Sequence, residues 1–595
     1  MIGRAGVWAG AILALMATVA AGGAPPGTAP PAIAPRPAGA PAPPAAEMTP
    51  AQLRDRLMAS AAAGKLTEPV LAQFRDYAAA LAHDYLTARG ISDDFLKWLS
   101  ANKEMRDAVL ITLYPSYDVN VVKRLEALKS RFGSQVAAYP HLALAFAFVY
   151  GRAGAQPPRD PHMLFAAKDR EIPKMEDSFE WYIRHEREMR MPLKATPWPL
   201  LVYVADNDAP LEERTWALQR YANCQPAAFR TIYYDVEYDN SGLNGAGKLG
   251  DRPLSLPNIA TYGGICMHRA YYASRVLKSM GVPALYDHGE GERGGHAWVA
   301  WVGRETQALD LLFAGRFDYD RYYTGIVFNP LTRRPMLDRD VQLDVAAMVR
   351  SYPAYMDALA ACEVFQMFKP EDRAKAMGLL DGASQKNAYC DFAWRLMGAG
   401  VADGTIPQKQ GERMFDGMLR SFAAYPDLTF YVLDKILAPR LKPSEKPAEA
   451  EIARNLQVLE KAFQIYEAAK RPDLSVRLRC LQGQYLEAVG RREEALKHYV
   501  LASEKYASEH YGFLGLYDRA VKMMREDRHQ DMMFKYMDMV AAKVPRFQSN
   551  FNQKYDLINP VYVYVVKAYA SALRTAGRAA DADIWDSKIP AKKPT

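Results

Sequence analysis

Three residues in the middle of the chain have side chains that could together make a sulfur nucleophile. Cys266 follows Gly264-Ile265, His296 follows a pair of glycines, and Asp310 lies in the apolar run ALDLL. A thiolate, a base and a group that orients the base are the parts of a nucleophilic triad. If the three side chains converge, the sequence predicts a cysteine-nucleophile enzyme. If they do not, it predicts a helical scaffold.

Cys266 is expected in the first turn of a helix. Gly263 and Gly264 indicate a turn before it, and Gly281 indicates where the helix ends. The apolar residues between these points recur at helical spacing: Ala270, Ala273, Val276, Leu277 and Met280. The N–H groups and the dipole at a helix start are expected to lower the pKa of the thiol and to stabilise an oxyanion. The alternative is a buried, inert cysteine.

The other two members are predicted on strands. The alternation in Ala297–Val302 places His296 at a strand start, from which its ring can reach the start of the helix. Asp310 is a charged residue inside an apolar strand, so it needs a partner, and an imidazole on the adjacent strand would satisfy it. Asp318 and Asp320 are alternatives in a polar, tyrosine-rich stretch. We expect Asp310 to fix the tautomer of His296.

Neither a metal nor a cofactor is predicted. Cys266, His268, His288 and His296 could in principle bind zinc, but they lack the paired spacing of a zinc site. The glycine-rich loop 242–250 fits a phosphate-binding pattern only loosely, because it is one residue short and lacks the hydroxyl that holds magnesium. We interpret this loop as flexible, with a flap over the active site as one reading.

The organisation of the chain follows from its composition and periodicity. We predict a signal peptide over 1–24, an Ala/Pro-rich linker over 25–47, a helical domain over 48–165, a catalytic domain over 166–345 and an α-helical repeat domain over 346–595. The apolar run after Arg4 is short for spanning a bilayer, so an exported protein in the periplasm or outside the cell is expected. No membrane association beyond the signal peptide is predicted.

The elements around the candidate residues define the predicted fold class. Thr231–Tyr238 alternates like a strand, and a helix from Cys266 is followed by β-like runs at Pro283–Asp287, Ala297–Val302 and Gln307–Leu312. A helix followed by antiparallel strands predicts an α+β domain. Further along, Leu481–Ala502 resembles one tetratricopeptide repeat, with small residues where two helices touch. These C-terminal helices could present a surface to a protein partner.

Charge and cysteine content exclude some classes of protein. The net charge of +7 is small for 595 residues and no dense basic block occurs, so nucleic-acid binding is not expected. Five cysteines are too few for a disulfide framework, and the odd number leaves at least one thiol free or joined to another chain. Cys362 and Cys390 lie in neighbouring helical segments and could pair, although spacing cannot decide this.

The pattern of a cysteine opening a helix that ends in LKSMGVPA, then HAWVAW, then LD, resembles the transglutaminase-like superfamily over roughly residues 195–330. The matching positions are Cys266, Ala270, Leu277, Gly281, Pro283, His296, Ala297, Trp298 and Asp310. The resemblance implies a papain-like α+β core, here flanked by an N-terminal helical domain and C-terminal helical repeats. It also implies thiolate attack on an amide of a peptide or protein substrate, then a thioester, then hydrolysis or transfer to an amine.

Two features leave the substrate and part of the site open. His268 stands where such proteins often carry an acidic residue. The glycine and basic residues that usually follow the GVPA strand are replaced here by Asp287-His288-Gly289-Glu290. Tyr262, Gly264 and Trp298 are the candidates for the oxyanion hole and for substrate contact. The predicted function is acyl transfer or hydrolysis at amide bonds by Cys266, His296 and Asp310. The alternative is a catalytically inactive, protein-binding scaffold.

Overall fold

Helices account for most of the chain in the computed structural model. The structure describes residues 48–153, 171–291, 294–304, 309–316, 325–426, 443, 446–509, 511–548 and 557–590. The predicted signal peptide and linker therefore lie outside the described residues. In the part that is described, no helix is long and apolar enough to cross a membrane.

The N-terminal half contains twelve described α-helices before the sheet begins. Their bounds are Pro50–Ala61, Glu68–Thr87, Asp93–Ala101, Lys103–Thr112, Val119–Phe132, Ser134–Ala138, Pro140–Ala153, Met175–Arg184, Trp198–Ala205, Leu211–Arg220, Leu256–Tyr262 and Cys266–Ser279. Short 3-10 helices occupy Glu186–Glu188, Pro226–Tyr233 and Asn240–Asn244. The 3-10 helix before Tyr234 shows that the strand predicted at Thr231–Tyr238 is wrong; only Tyr238 bridges, to Gly264.

The chain returns to helices after the sheet. The described ones are Asp338–Arg350, Tyr352–Gln366, Arg373–Lys386, Asp391–Ala402, Gln408–Phe422, Glu449–Ala468, Pro472–Ala488, Arg492–Tyr506, Leu514–Glu526, Gln530–Lys543, Pro560–Thr575 and Ala579–Ser587, with 3-10 turns at Pro370–Asp372 and Tyr511–Phe513. The residue predicted to end the catalytic domain, 345, lies inside the first of these helices. Residues Thr49–Thr595 group into one compact unit, and the finer domain boundaries stay predictions.

One five-stranded antiparallel sheet lies among these helices. Its strands are β1 (Ala284–Gly291), β2 (Gly294–Gly303), β3 (Asp310–Ala314), β4 (Ile326–Asn329) and β5 (Arg334–Leu337), in the order β3-β2-β1-β4-β5. The two-residue strands β6 (Phe547–Gln548) and β7 (Leu557–Ile558) pair separately. The register of β1 and β2 pairs two residues of the predicted site with residues of β1: His296 on β2 lies opposite Gly289, and Trp298 lies opposite Asp287.

The predicted α+β class with a papain-like core is wrong. The structure is 68% helical, and its five antiparallel strands form one small sheet in a mostly helical protein. The prediction failed because it assigned a whole α+β domain from the alternating pattern around β1, β2 and β3. Alternation covers only a few short runs, whereas helical spacing continues on both sides of them.

Local signals explain where the helices begin. Thr49 accepts a hydrogen bond from the backbone N–H of Gln52, and the Gln52 side chain accepts one from the N–H of Thr49, which forms a capping box ahead of Pro50. The run PHLALAFAFVY, residues 140–150, is apolar all round and predicts a buried helix. It lies within the helix Pro140–Ala153, and the consecutive side chains from Leu142 to Val149 are buried, so this prediction is confirmed.

The helix Cys266–Ser279, hereafter the Cys266 helix, is enclosed over its C-terminal half. Every residue from Ala270 to Ser279 is buried, including two cations. The Arg275 guanidinium donates to Asp208 at 2.7 and 3.2 Å, and Lys278 pairs with Asp206. Because unpaired buried charges are costly, these ion pairs allow both cations to remain inside. The helix is therefore anchored at the end opposite to the cysteine.

Each of the C-terminal helices from Glu449 onward packs against the next one along the chain. Gly490 has a φ of +80° at the turn between helices Pro472–Ala488 and Arg492–Tyr506. Gly483 allows them to approach closely, since a Cβ there would lie 2.1 Å from the ring of Tyr499. Helical packing at this pair agrees with the predicted contact between small and large residues. Similarity to tetratricopeptide repeats stays a prediction.

Candidate active site

Cys266 is the first residue of its helix, as the sequence predicts. Gly263, with a φ of +75°, makes the turn before it, and a Cβ there would lie 2.5 Å from the carbonyl oxygen of Glu237. The backbone N–H of Ile265 donates to Nδ1 of His268 at 3.2 Å, which caps the helix start. His268 therefore has a structural role beside the cysteine. These contacts fix the backbone on which the thiol is carried.

The thiol of Cys266 is partly buried and free of disulfide bonding. Burial raises its pKa above the ordinary value, while hydrogen bonds from the N–H groups of Ala297, Met267 and Cys266 itself, together with the charge of Arg269, act in the opposite direction. The sequence predicted a lowered pKa. That prediction is wrong because desolvation of the thiolate outweighs the helix-start amides. At neutral pH the resting side chain is a thiol.

His296 lies on β2 with one ring nitrogen fixed. Its Nε2 atom is 2.7 Å from the carbonyl oxygen of Gly315. A carbonyl oxygen can only accept, so Nε2 carries the hydrogen and Nδ1 is the basic atom of the neutral ring. Burial lowers the pKa of His296, and the Gly315 carbonyl opposes this. The imidazole is therefore neutral at neutral pH and held in one tautomer.

The structure brings the backbone next to His296 against the sulfur of Cys266. The N–H of Ala297, the residue directly after His296, is one of the three backbone groups that lower the pKa of the Cys266 thiol. The carbonyl oxygen of the same Ala297 accepts from the hydroxyl of Tyr233 at 2.9 Å. Tyr233 also packs under Gly315, where a Cβ would lie 2.3 Å from its ring. One buried tyrosine thus supports both the segment that touches the thiol and the group that orients the imidazole.

Asp310 is not brought to His296. It opens β3 opposite Gly303, seven residues along β2 from His296, which corresponds to about 23 Å of strand. Its carboxylate accepts instead from its neighbour Leu311 at 2.7 Å and from Gln342 at 3.2 Å. The predicted contact between Asp310 and His296 is wrong, and the Gly315 carbonyl occupies that place. The alternatives, Asp318 and Asp320, lie outside the described residues.

The three weaker site candidates have different surroundings. Tyr262 ends the helix Leu256–Tyr262, and its ring lies 4.2 Å from the guanidinium of Arg252. Gly264 joins the site through its backbone, donating to Glu237 at 3.0 Å. Trp298 is fully buried opposite Asp287, so its side chain supports the sheet and is closed to a substrate in this structure.

Two residues that the sequence analysis did not select lie beside Cys266. Burial raises the pKa of Tyr238, and the nearby Cys266 thiol raises it further. The N–H of Cys266 and the charge of Arg269 lower it. The guanidinium of Arg269 lies 5.0 Å from the ring centre of Tyr238. Arg269 could have been found from its position one turn after Cys266. Tyr238 could not, because its approach depends on the bridge to Gly264.

The glycine-rich loop 242–250 lies on the same side of the molecule as Ile265. A Cβ on Gly242 would be 3.0 Å from the side chain of Ile265. Asp239 organises this loop by accepting from the N–H groups of Ser241 at 3.1 Å and Lys248 at 2.6 Å. The loop is thus built next to the helix start by hydrogen bonds of its own. Its reading as a flap stays a prediction.

Within the described part of the chain, no group of three or more His, Cys, Asp or Glu side chains is arranged to hold a metal ion. A disulfide between Cys362 and Cys390, which the sequence left open, is not formed in the structure. Cys362 and Cys390 are free and fully buried, and burial together with the neighbouring Cys390 raises the pKa of Cys362.

No family model, no curated protein and no solved structure matches this chain. The similarity to transglutaminase-like proteins therefore depends on the motif residues alone.

Proposed function

We propose that this protein is an exported cysteine enzyme that hydrolyses or transfers acyl groups at peptide or protein amide bonds, with chemistry like that of transglutaminase-like proteins. One observation carries the proposal. The N–H of Ala297 lies near enough to the Cys266 thiol to lower its pKa, while the adjacent His296 is held in a single tautomer by Gly315. Enzymes of several folds combine a nucleophile with an oriented imidazole base, and this is the pairing that we propose for Cys266 and His296.

The reaction begins from a neutral pair. Because the pKa of Cys266 is raised and that of His296 is lowered, the proton stays on sulfur until the substrate arrives. His296 then takes the thiol proton at Nδ1 as sulfur attacks the amide carbon, and the carbonyl electron pair moves onto oxygen. The N–H of Cys266 and the hydroxyl of Tyr238 are the proposed donors to this oxyanion.

Collapse of the intermediate breaks the carbon–nitrogen bond, and the amine leaves with the proton from His296. This gives a thioester on Cys266. Water or a second amine then attacks the thioester while His296 takes its proton. His296 passes this proton to the sulfur as the carbon–sulfur bond breaks, which restores the thiol. We favour hydrolysis, since nothing in the sequence suggests a dedicated amine site. The C-terminal helices would present a surface to the substrate or to a protein partner.

The proposal is tested by asking whether a thioester forms on the thiol of Cys266. Full-length protein is incubated with a peptide-amide library and hydroxylamine, which traps a thioester as a hydroxamate. Hydroxamate should form with the natural chain and with Cys224→Ala, a control that removes another partly exposed free thiol. It should disappear in Cys266→Ala. Hydroxamate formation by Cys266→Ala at the natural rate would exclude the mechanism.

The second candidate function is a protein-binding scaffold without catalysis. Two observations favour it: the raised pKa of the Cys266 thiol and the distance of Asp310 from His296. The rate of alkylation by iodoacetamide separates the two functions. An enzyme should alkylate at Cys266 faster than a model thiol of the same pKa, because His296 removes the proton. An inert scaffold should alkylate more slowly than the model thiol.

A further inference from the structure

Arg269 is a cation beside the nucleophile, and among the residues that the structure describes it has no anionic partner. It lies three residues after Cys266, on the same side of the helix. Its guanidinium carbon is 5.7 Å from the ring centre of Tyr233 and 5.0 Å from that of Tyr238. Its Nε atom is buried and makes no hydrogen bond within the described part of the chain. A partly buried guanidinium between two phenol rings keeps its charge but has lost part of its hydration.

The acidic side chains on the segment that passes Arg269 are engaged elsewhere. They are Asp235, which accepts from Tyr221 at 2.9 Å; Glu237, which pairs with Lys248 at 3.0 Å; and Asp239, which accepts from Ser241 and Lys248. Across the described ranges, no carboxylate forms an ion pair with Arg269. The positive charge next to Cys266 is therefore not neutralised by these acids.

We propose that Arg269 binds a carboxylate of the acyl substrate, so that the substrate is a peptide with an anionic group next to the scissile amide. This inference depends on the proposed function, because it concerns the substrate of the same site. A guanidinium binds a carboxylate through two parallel N–H donors, and pairing is strongest where water is partly excluded. The carboxylate belongs either to an acidic side chain or to the free C-terminus of the peptide.

The charge preference can be measured without knowing the substrate. Iodoacetate and iodoacetamide alkylate a thiol by the same displacement of iodide, and only iodoacetate carries a carboxylate. The ratio of their rates at Cys266, followed by mass spectrometry of the full chain, should exceed the ratio for free cysteine. In Arg269→Gln it should fall by about tenfold, as expected for the loss of one charge-assisted hydrogen bond.

Arg220→Gln is the matched control. Arg220 also lies over two rings, 5.4 Å from Trp216 and 5.9 Å from Tyr221, but it belongs to another helix, Leu211–Arg220. Its removal should leave the ratio unchanged. An unchanged ratio in Arg269→Gln, or an equal fall in both variants, would overturn the proposal.

Peptides then distinguish the two sources of the carboxylate. One pair differs by Glu or Gln next to the scissile amide, and a second pair by a free or amidated C-terminus. Arg269→Gln should lower kcat/KM about tenfold for the preferred anionic member only, and Arg269→Lys should restore part of it. Equal loss on neutral and anionic peptides would contradict carboxylate binding. If no peptide is turned over, the proposed function fails, while the two alkylating agents still decide whether Arg269 attracts an anion.

Discussion

The Nε2 atom of His296 lies 2.7 Å from the carbonyl oxygen of Gly315, and the N–H of the same glycine donates to the hydroxyl of Tyr234 at 3.2 Å. The imidazole is thus oriented by a main-chain carbonyl, and the N–H of the same residue is held by a hydrogen bond of its own. A carbonyl sets the tautomer of a histidine as a carboxylate does, but it adds no full negative charge to stabilise an imidazolium. The lowered pKa of His296 agrees with this difference.

Gly315→Ala should disable the site through its geometry. The residue has a φ of +83°, and a Cβ there would lie 2.3 Å from the ring of Tyr233. Either the ring or the carbonyl must move, which should lower the free energy of unfolding by about 1–3 kcal/mol and slow turnover. Urea unfolding and the rate of hydroxamate formation measure the two effects.

Gly577→Ala is the control for backbone strain in that experiment. Gly577 has a φ of +77°, and a Cβ there would meet nothing within 4 Å. It should lose stability for the same backbone reason but keep its rate of hydroxamate formation. If Gly315→Ala also keeps the natural rate, Gly315 does not orient His296.

Asp310→Asn should leave turnover almost unchanged. The carboxylate contacts Gln342 and its own neighbour Leu311, at the end of the β2–β3 pair remote from His296. We expect kcat/KM within about twofold of the natural chain, whereas His296→Ala should lose about 10²–10⁴-fold as a general base is removed. Steady-state kinetics on one peptide substrate compares them. A loss in Asp310→Asn as large as that in His296→Ala would contradict the register seen here.

The contrast between His296 and Asp310 shows what the sequence can predict. Cys266 and the helix after it were found because the signals are local: a glycine turn, apolar residues at helical spacing and Gly281 at the end. His296 was found at a strand start for the same reason. Asp310 was misplaced because strand register depends on pairing between distant residues, and alternation alone does not fix it.

Other features of the site have no signature in residue type. The group that orients His296 is a backbone carbonyl, which every residue possesses. Tyr238 reaches Cys266 only because its segment bridges to Gly264, and a 3-10 helix precedes it where a strand was predicted. The direction of the thiol pKa was also missed, because the sequence gives the amides of a helix start but not the depth of burial that outweighs them.

Tyr238→Phe should affect catalysis but not the nucleophile. If the hydroxyl stabilises the oxyanion, its removal should lower kcat by about 10²–10³-fold. Alkylation by iodoacetamide forms no oxyanion, so its rate at Cys266 should change little. Tyr262→Phe, which alters the hydroxyl first considered for this role, is the control and should keep its kcat. A parallel fall in kcat and alkylation for Tyr238→Phe would instead indicate that the hydroxyl acts on the thiol.

Asp287→Asn should change how stability depends on pH. Asp287 is fully buried opposite Trp298, and its carboxylate and that of Asp338 lie 2.3 and 2.4 Å from the point where a Cβ on Gly325 would be. Burial raises the pKa of Asp287 well above its usual range and Asp338 raises it further, while Arg316 opposes this. The folded chain therefore keeps a proton that the unfolded chain releases above about pH 4.

The sign of the effect follows from this difference in proton binding. The contribution of Asp287 to stability is complete below the unfolded pKa and is lost as the pH rises towards the folded one. Relative to the natural chain, Asp287→Asn should therefore gain about 1.4 kcal/mol in the free energy of unfolding for each pH unit between pH 5 and pH 8 over which the folded carboxyl keeps its proton, and at most about 4 kcal/mol in all. Urea unfolding at the two pH values measures it, with the exposed Asp251→Asn as the control. A difference between Asp287→Asn and the natural chain that stays constant with pH would mean that the carboxyl is ionised in the folded protein, with Arg316 compensating its charge.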